Sequence, residues 1–216
     1  MHCIVTAGPT YESLDEVRRL TNFSTGRLGT ELAGFLTASG HEVTLLIGEQ
    51  ATYRGERRAT TTQIFSTTAD LSHRLETLAQ SPAAVVFHAA AVSDYAFGRT
   101  WVRSPHGEMV EVRSGKISTR DGVLLAELVP TQKIIAALRG WFPQARLVGW
   151  KFEVEGDRPE VIRLAARQIQ ECRTDACVAN GRAYGEGFGL VTADGNCRPL
   201  ADAPALFAAL EKFIRP

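Results

Sequence analysis

Short apolar runs rich in β-branched residues alternate with segments of helical periodicity along almost the whole chain, and that alternation narrows the available folds more than any other feature. HCIVTAG, EVTLLIG, AAVVFHAAA, LLAELVP and RLVGWKFEV read as strands. GTELAGFLTASG, ADLSHRLETLAQ, TQKIIAALRGWF and PEVIRLAARQIQEC carry apolar residues three and four positions apart, as one face of a helix does. DACVANG adds a further strand. GFGLVTADGNCRPL reads as a hairpin turning at ADGN, and APALFAALEKFIRP closes the sequence as a helix. Runs that are apolar throughout belong to strands buried on both faces. The pattern therefore predicts an α/β fold, a doubly wound, mostly parallel Rossmann-like sheet with helices on both faces. No repeat or low-complexity linker interrupts it, so residues 1–216 read as one domain.

One stretch departs from the alternation. Residues 95–121 are too long for an ordinary connection in a compact α/β unit, which marks an inserted arm. Within it MVEVR alternates apolar and polar residues, as a half-buried strand does. Lys+Arg and Asp+Glu balance at 24 each, so no net field draws the chain to nucleic acid or to a membrane surface. No apolar run approaches the ~20 residues of a membrane span. The sequence opens directly on the strand-like MHCIVTAGPT, which predicts no leader and a cytoplasmic protein. Cys3, Cys172, Cys177 and Cys197 form no CxxC pair and read as free thiols.

The segment TNFSTGRLG introduces the first helix after the strand ending in TAGPT. Ser24, Thr25 and Gly26 can offer hydroxyls and backbone N–H groups at a positive helix end, as a phosphate cradle requires. The same residues also suit an ordinary capped helix. The segment is neither GxxxxGK[ST] nor GxGxxG. A short-chain dehydrogenase would need Tyr-x-x-x-Lys. The residues four after Tyr11, Tyr53, Tyr95 and Tyr184 are Asp15, Arg57, Arg99 and Phe188, so hydride transfer is disfavoured.

TAGPTYESLDEVR, TNFSTGRLG, AAAVSDY, SGKIS, LVPTQKI, GWKFE and CVAN, taken together and in this order, resemble phosphopantothenoylcysteine synthetase over nearly the whole chain. The resemblance implies a step of coenzyme A biosynthesis. The carboxylate of 4′-phosphopantothenate attacks a nucleoside triphosphate (CTP or ATP, with Mg²⁺), and L-cysteine then takes the acyl group as an amide. It further implies no flavin, a homodimer built partly through the arm, and these small molecules as substrates. Asn22, Lys116 and Asp94 match catalytic positions. Nucleotide contacts are implied for Gly8, Ser24, Gly26, Gly29, His88, Ala89, Ala90, Gln132, Lys133, Ile134, Ile135, Trp150 and Asn180. Substrate contacts are implied for Asn22, Ala90, Ala91 and Asp94, and for Arg18 (or its neighbour Arg19), which would reach the substrate held by the neighbouring subunit. No protein metal ligand is implied.

Three departures bear on these expectations. Trp150 stands where the family usually has Phe, which keeps a stacking surface. Gln168 and Cys172 fall near positions where two lysines read cytosine in fused bacterial enzymes, so ATP is expected to serve at least as well as CTP. Tyr11 and Ser13 replace an Arg and a Pro. A second expectation, a protein that binds the nucleotide or phosphorylated pantothenate without ligating, is disfavoured by retention of Asn22 and Lys116.

Overall fold

A computed structural model describes residues 1–112, 115–118, 120 and 122–215. The chain runs β1 (His2–Ala7), β2 (Tyr11–Ser13), β3 (Arg19–Thr21), α1 (Arg27–Ala38), β4 (Glu42–Gly48), β5 (Thr61–Phe65), α2 (Thr68–Leu78) and β6 (Val85–His88). It continues with β7 (Tyr95–Arg103), β8 (Met109–Glu111), β9 (Val123–Pro130), α3 (Ile134–Trp141), β10 (Arg146–Phe152) and α4 (Arg158–Cys172). β11 (Ala176–Asn180), β12 (Phe188–Thr192), β13 (Cys197–Leu200) and α5 (Ala203–Ile214) complete it.

Eight strands form the central sheet in the order β13-β12-β11-β10-β6-β1-β4-β5. β11 through β5 pair in parallel, and the β12–β13 hairpin adds two antiparallel strands at one edge. Side chains alternate between two cores, as the period of a strand dictates. Cys3, Val5 and Ala7 of β1, with Val43, Leu45 and Ile47 of β4, pack under α1 and α5. Ile4, Leu46, Val86 and Leu147 face α2 and α3 on the other side, and α4 covers Cys177, Ala179 and Val191. Side chains cap three of the helices: Thr67, Asp157 and Asp202 accept from Asp70, Glu160 and Ala205 N–H respectively. Each such cap contributes about 1 kcal/mol. Cys3, Cys172 and Cys177 are buried free thiols, and Cys197 is partly buried.

Two segments differ from their sequence readings. LLAELVP is not a strand of the central sheet. It is β9, the return strand of a separate antiparallel sheet ordered β8-β7-β9, so the arm extends from β7 to Pro130 and past the expected boundary. Its apolar residues mimic a buried strand, but all of β9 is exposed or only half-buried. The sequence reading also left out β5, because TTQIF is an edge strand of which only Phe65 is buried. Residues 49–60 reach it from β4 without a helix.

The expected boundary Asp121 and Arg113 of MVEVR lie outside the described residues. The preceding Met109 and Val110 are 50% and 59% exposed, so β8 buries neither of its faces against its own chain. A narrow neck joins arm to sheet, where Thr131 donates through N–H to the Asp94 carbonyl (3.0 Å) and through its hydroxyl to the Ser93 carbonyl (2.5 Å).

Candidate active site at the switch point

From β1 the chain crosses through α1 to β4, and from β6 it crosses through α3 to β10 in the opposite direction, on the opposite face. A crevice opens at the carboxyl ends of strands where windings diverge in this way, and ligands of doubly wound sheets bind there. Here the two segments stay zipped beyond the sheet. Ala89 N–H donates to the Thr6 carbonyl (3.2 Å), Ala91 N–H to Gly8 (2.9 Å) and Thr10 N–H to Ala91 (3.2 Å). They form a common floor for two recesses.

The first recess, about 350 Å³, is lined by Gly8, Ser24, Gly26, Gly29, Ala89 and Asn180, all expected at the nucleotide, together with Thr25, Arg27 and Phe188. Gly26 caps α1 in the left-handed region (φ 78°), where a Cβ would also stand 2.9 Å from Ile47 Cδ1. No side chain caps this helix and no acid lies in its first turn. Its first backbone bond runs from Thr30 N–H to Gly26 (3.1 Å), while Arg27 N–H reaches Thr25 Oγ1 (3.3 Å). The N–H groups of Leu28 and Gly29 take no partner among the described residues, which leaves donors and the positive helix end open toward an anion. Gly29 is small for a different reason than its sequence setting suggests. A Cβ there would meet Ala7 Cβ at 2.6 Å, so Gly29 brings α1 down onto β1.

The second recess, about 210 Å³, gathers His88, Ala90, Asp94, Gln132, Lys133, Ile134, Ile135 and Trp150, with Lys151 and Gln168. His88 is buried, and its Nδ1 lies 2.9 Å from Thr6 Oγ1, which also accepts Ala90 N–H (3.1 Å). Burial pulls the His88 pKa down to about 4, so the ring is neutral at pH 7. Trp150 Nε1 and Asn180 Oδ1 are buried without a partner among the described residues, an arrangement that costs free energy unless a ligand or water satisfies it. Gln168 Nε2 donates to the Trp150 carbonyl (3.4 Å) and to Cys177 Sγ (3.3 Å).

Asn22 and Ala91 tie the β3 end to the segment following β6. Asn22 Nδ2 donates to the carbonyls of Ala91 (3.1 Å) and Val92 (3.3 Å), so its amide N–H groups already have main-chain acceptors. Asp94 is exposed at the arm's neck. Arg18 and Lys116 line neither recess. Arg18 pairs with Asp15 (2.5 Å), and Lys116 is exposed in the segment 115–118 at the arm's root. Arg19 stacks over Tyr11 at 4.5 Å.

Arg27, Phe188 and Lys151 were not singled out in the sequence. Arg27 lies within TGRLG and binds Glu31 (2.8 Å), whose carboxylate also accepts from Tyr53 (3.0 Å). A cation beside an uncapped helix start was the available signal. Phe188 reaches the first recess only through the β11–β12 pairing, which no local pattern encodes.

Residues 1–198 match the family described as DNA/pantothenate metabolism flavoprotein C-terminal domain. The chain is 34% identical over 179 residues to the coenzyme A biosynthesis bifunctional protein CoaBC of Thermococcus kodakarensis, covering 82% of this chain and 40% of that protein. It spans less than half the length of the first curated relatives it matches. Among solved structures, the DNA/pantothenate metabolism flavoprotein from Streptococcus pneumoniae superposes with a TM-score of 0.84 at 24% identity, covering 99% of this chain and 98% of that one. A Cab2 mutant in complex with phosphopantothenate-cysteine superposes with a TM-score of 0.72 at 18% identity, covering 99% and 84%.

Proposed function

Because the chain belongs to the DNA/pantothenate metabolism flavoprotein C-terminal domain family, we propose that it acts as a phosphopantothenate–cysteine ligase, with residues 1–216 forming one synthetase domain. The observation that carries this reading is the pair of recesses meeting at residues 88–91, one with an uncapped helix N-terminus and the other with a half-buried aromatic wall. The names of the relatives support the pathway, and the ligand in the Cab2 complex supports the product class.

In this reading the triphosphate lies against the Gly26–Gly29 turn, where backbone N–H groups and Arg27 offset its charge. The base stacks on Trp150, and Asn180, whose Oδ1 has no partner among the described residues, offers it an acceptor. The carboxylate of 4′-phosphopantothenate attacks the α-phosphorus and pyrophosphate departs. The amine of L-cysteine then attacks the acyl carbon and the nucleoside monophosphate leaves. Two anions meet in the first step, so fixed N–H donors and cations must lower its barrier. Lys116 supplies positive charge at the phosphate and Asn22 a neutral amide, one of whose N–H groups turns from the Ala91 or Val92 carbonyl to the acyl phosphate. Mg²⁺ bound with the nucleotide would supply further charge neutralisation at the triphosphate. Among the described residues no three His, Cys, Asp or Glu side chains cluster to hold it.

Stacking on Trp150 tolerates any base, and Gln168 and Cys172 stand near where the fused bacterial enzymes carry two cytosine-reading lysines, so ATP is accepted at least as well as CTP. A homodimer covers the exposed apolar residues of the arm, and the reaction takes place in the cytoplasm without a flavin. The test is pyrophosphate release with ATP, CTP, GTP and UTP in turn, with and without 4′-phosphopantothenate, followed by mass detection of the cysteine amide. Release that requires both nucleotide and phosphopantothenate supports the ligase. Nucleotide binding without any release would leave only a binding protein.

A further inference from the structure

We infer that Asp15 is a positioning residue: its carboxylate staples the loop of residues 14–18 to the segment 115–117 and so fixes where the Lys116 amine stands. The inference rests on the ligase reading for the role of Lys116. Asp15 is separated by about a hundred positions from the segment it holds, and its side chain has no exposed surface. One oxygen, Oδ1, accepts the N–H groups of Val17 (3.0 Å) and Arg18 (2.7 Å). The other, Oδ2, accepts Arg18 Nε (3.0 Å), Arg18 Nη2 (2.5 Å) and the Ile117 N–H (3.2 Å). These are five N–H donors on two oxygens, an arrangement only an ionised carboxylate satisfies. The Arg18 guanidinium and the surrounding N–H groups hold this carboxyl well below the usual carboxylate range.

The staple grips the segment on both sides of Lys116. Glu16 N–H donates to the Gly115 carbonyl (3.0 Å), and Arg18 Nη2 donates to the Ile117 carbonyl (2.7 Å). Ile117 is 4% exposed and lines a recess with Leu14, Thr100 and Val112, whereas Lys116 between the two anchored residues is exposed.

Asp15→Asn tests this. Either orientation of the amide turns an NH₂ toward N–H donors, so the staple opens while the cores under the central sheet are untouched. Three quantities are read on the full chain: hydrogen exchange at the Ile117 amide, ATP affinity by calorimetry, and kcat and KM for pyrophosphate release. The expected result is faster exchange at Ile117, ATP affinity within about threefold of wild type, and kcat lower by about 10–10²-fold, since small misplacement of a reacting group has effects of this size. In a Lys116→Ala background, Asp15→Asn should lower kcat no further, because the two residues act as one unit. Unchanged exchange at Ile117, a full additional loss in the Lys116→Ala background, or an equal collapse of ATP affinity would each overturn the inference. Should wild type release no pyrophosphate, the ligase reading fails by itself, and exchange at Ile117 still decides whether the staple exists.

Discussion

The central sheet and the arm sheet are both hydrogen-bonded along their strands, yet their side chains meet different fates. In β1 every residue after His2 is buried, and helices cover both faces. In the arm, Val102 and Thr100 are buried while Tyr95, Met109, Val110, Val123 and Leu128 stay exposed. Backbone pairing alone therefore does not complete a sheet. The central sheet draws its own cover from the intervening helices, and the arm, with no helix among its described residues, leaves apolar side chains exposed on both of its faces.

This contrast predicts that substitutions at the switch point act on chemistry or stability, and those at the arm's exposed apolar residues act on association. The largest effect is expected at Asn22. Asn22→Asp places a carboxylate against the Ala91 and Val92 carbonyls and toward the acyl phosphate, and loss of one preorganised donor lowers rate by ~10²–10³. Purified Asn22→Asp with wild-type turnover and an intact fold would break the assignment.

His88 comes next. Its folded-state pKa of about 4 lies below the ordinary 6.5, so the buried neutral ring contributes full stability above pH 6.5. That contribution is lost as pH falls through the folded value, about 3 kcal/mol in all. Denaturant titrations from pH 7 to pH 4 should show a steeper acid loss in wild type than in His88→Gln, and parallel curves would contradict it. Gly29→Ala is expected to follow at about 1–3 kcal/mol, because the new methyl collides with Ala7 unless α1 lifts from β1. A melting temperature equal to wild type would mean the helix yields freely.

The smallest effect on the chain itself belongs to the arm. Paired Met109→Ser and Val110→Ser changes should shift stability at low protein concentration by no more than about 0.5 kcal/mol, while weakening self-association in sedimentation. A large loss of stability under dilute conditions would mean the arm closes on its own chain.

Strands apolar throughout and helices with regular stripes were legible because their burial is local in the sequence. LLAELVP misled for the same reason: its composition suits a core strand, but its place is decided by pairing with β7, which composition does not record. TTQIF was overlooked because an edge strand need bury only one residue. At the site, the glycines around the TNFSTGRLG segment were visible as small residues, whereas the packing demand on Gly29 required knowing that Ala7 lies beneath it. Asp15 was least legible of all. Nothing in YESLDEVR distinguishes a buried carboxylate from a solvated one until Ile117 is brought beside it.

The neck at Ser93 and Thr131 has a consequence for assembly of the chain in time. β6 and β10 must pair across the whole arm, and closing a longer loop is only slightly more costly, about 0.6 kcal/mol for each doubling of length. Once the neck has formed, the arm is a closed excursion whose own pairings, β7 with β8 and β9, are made between near neighbours in sequence. Apart from the loop of residues 14–18, which bonds the arm at Gly115 and Ile117, the two sheets can then order independently, and variation in the arm away from those contacts leaves the folding of the core almost untouched.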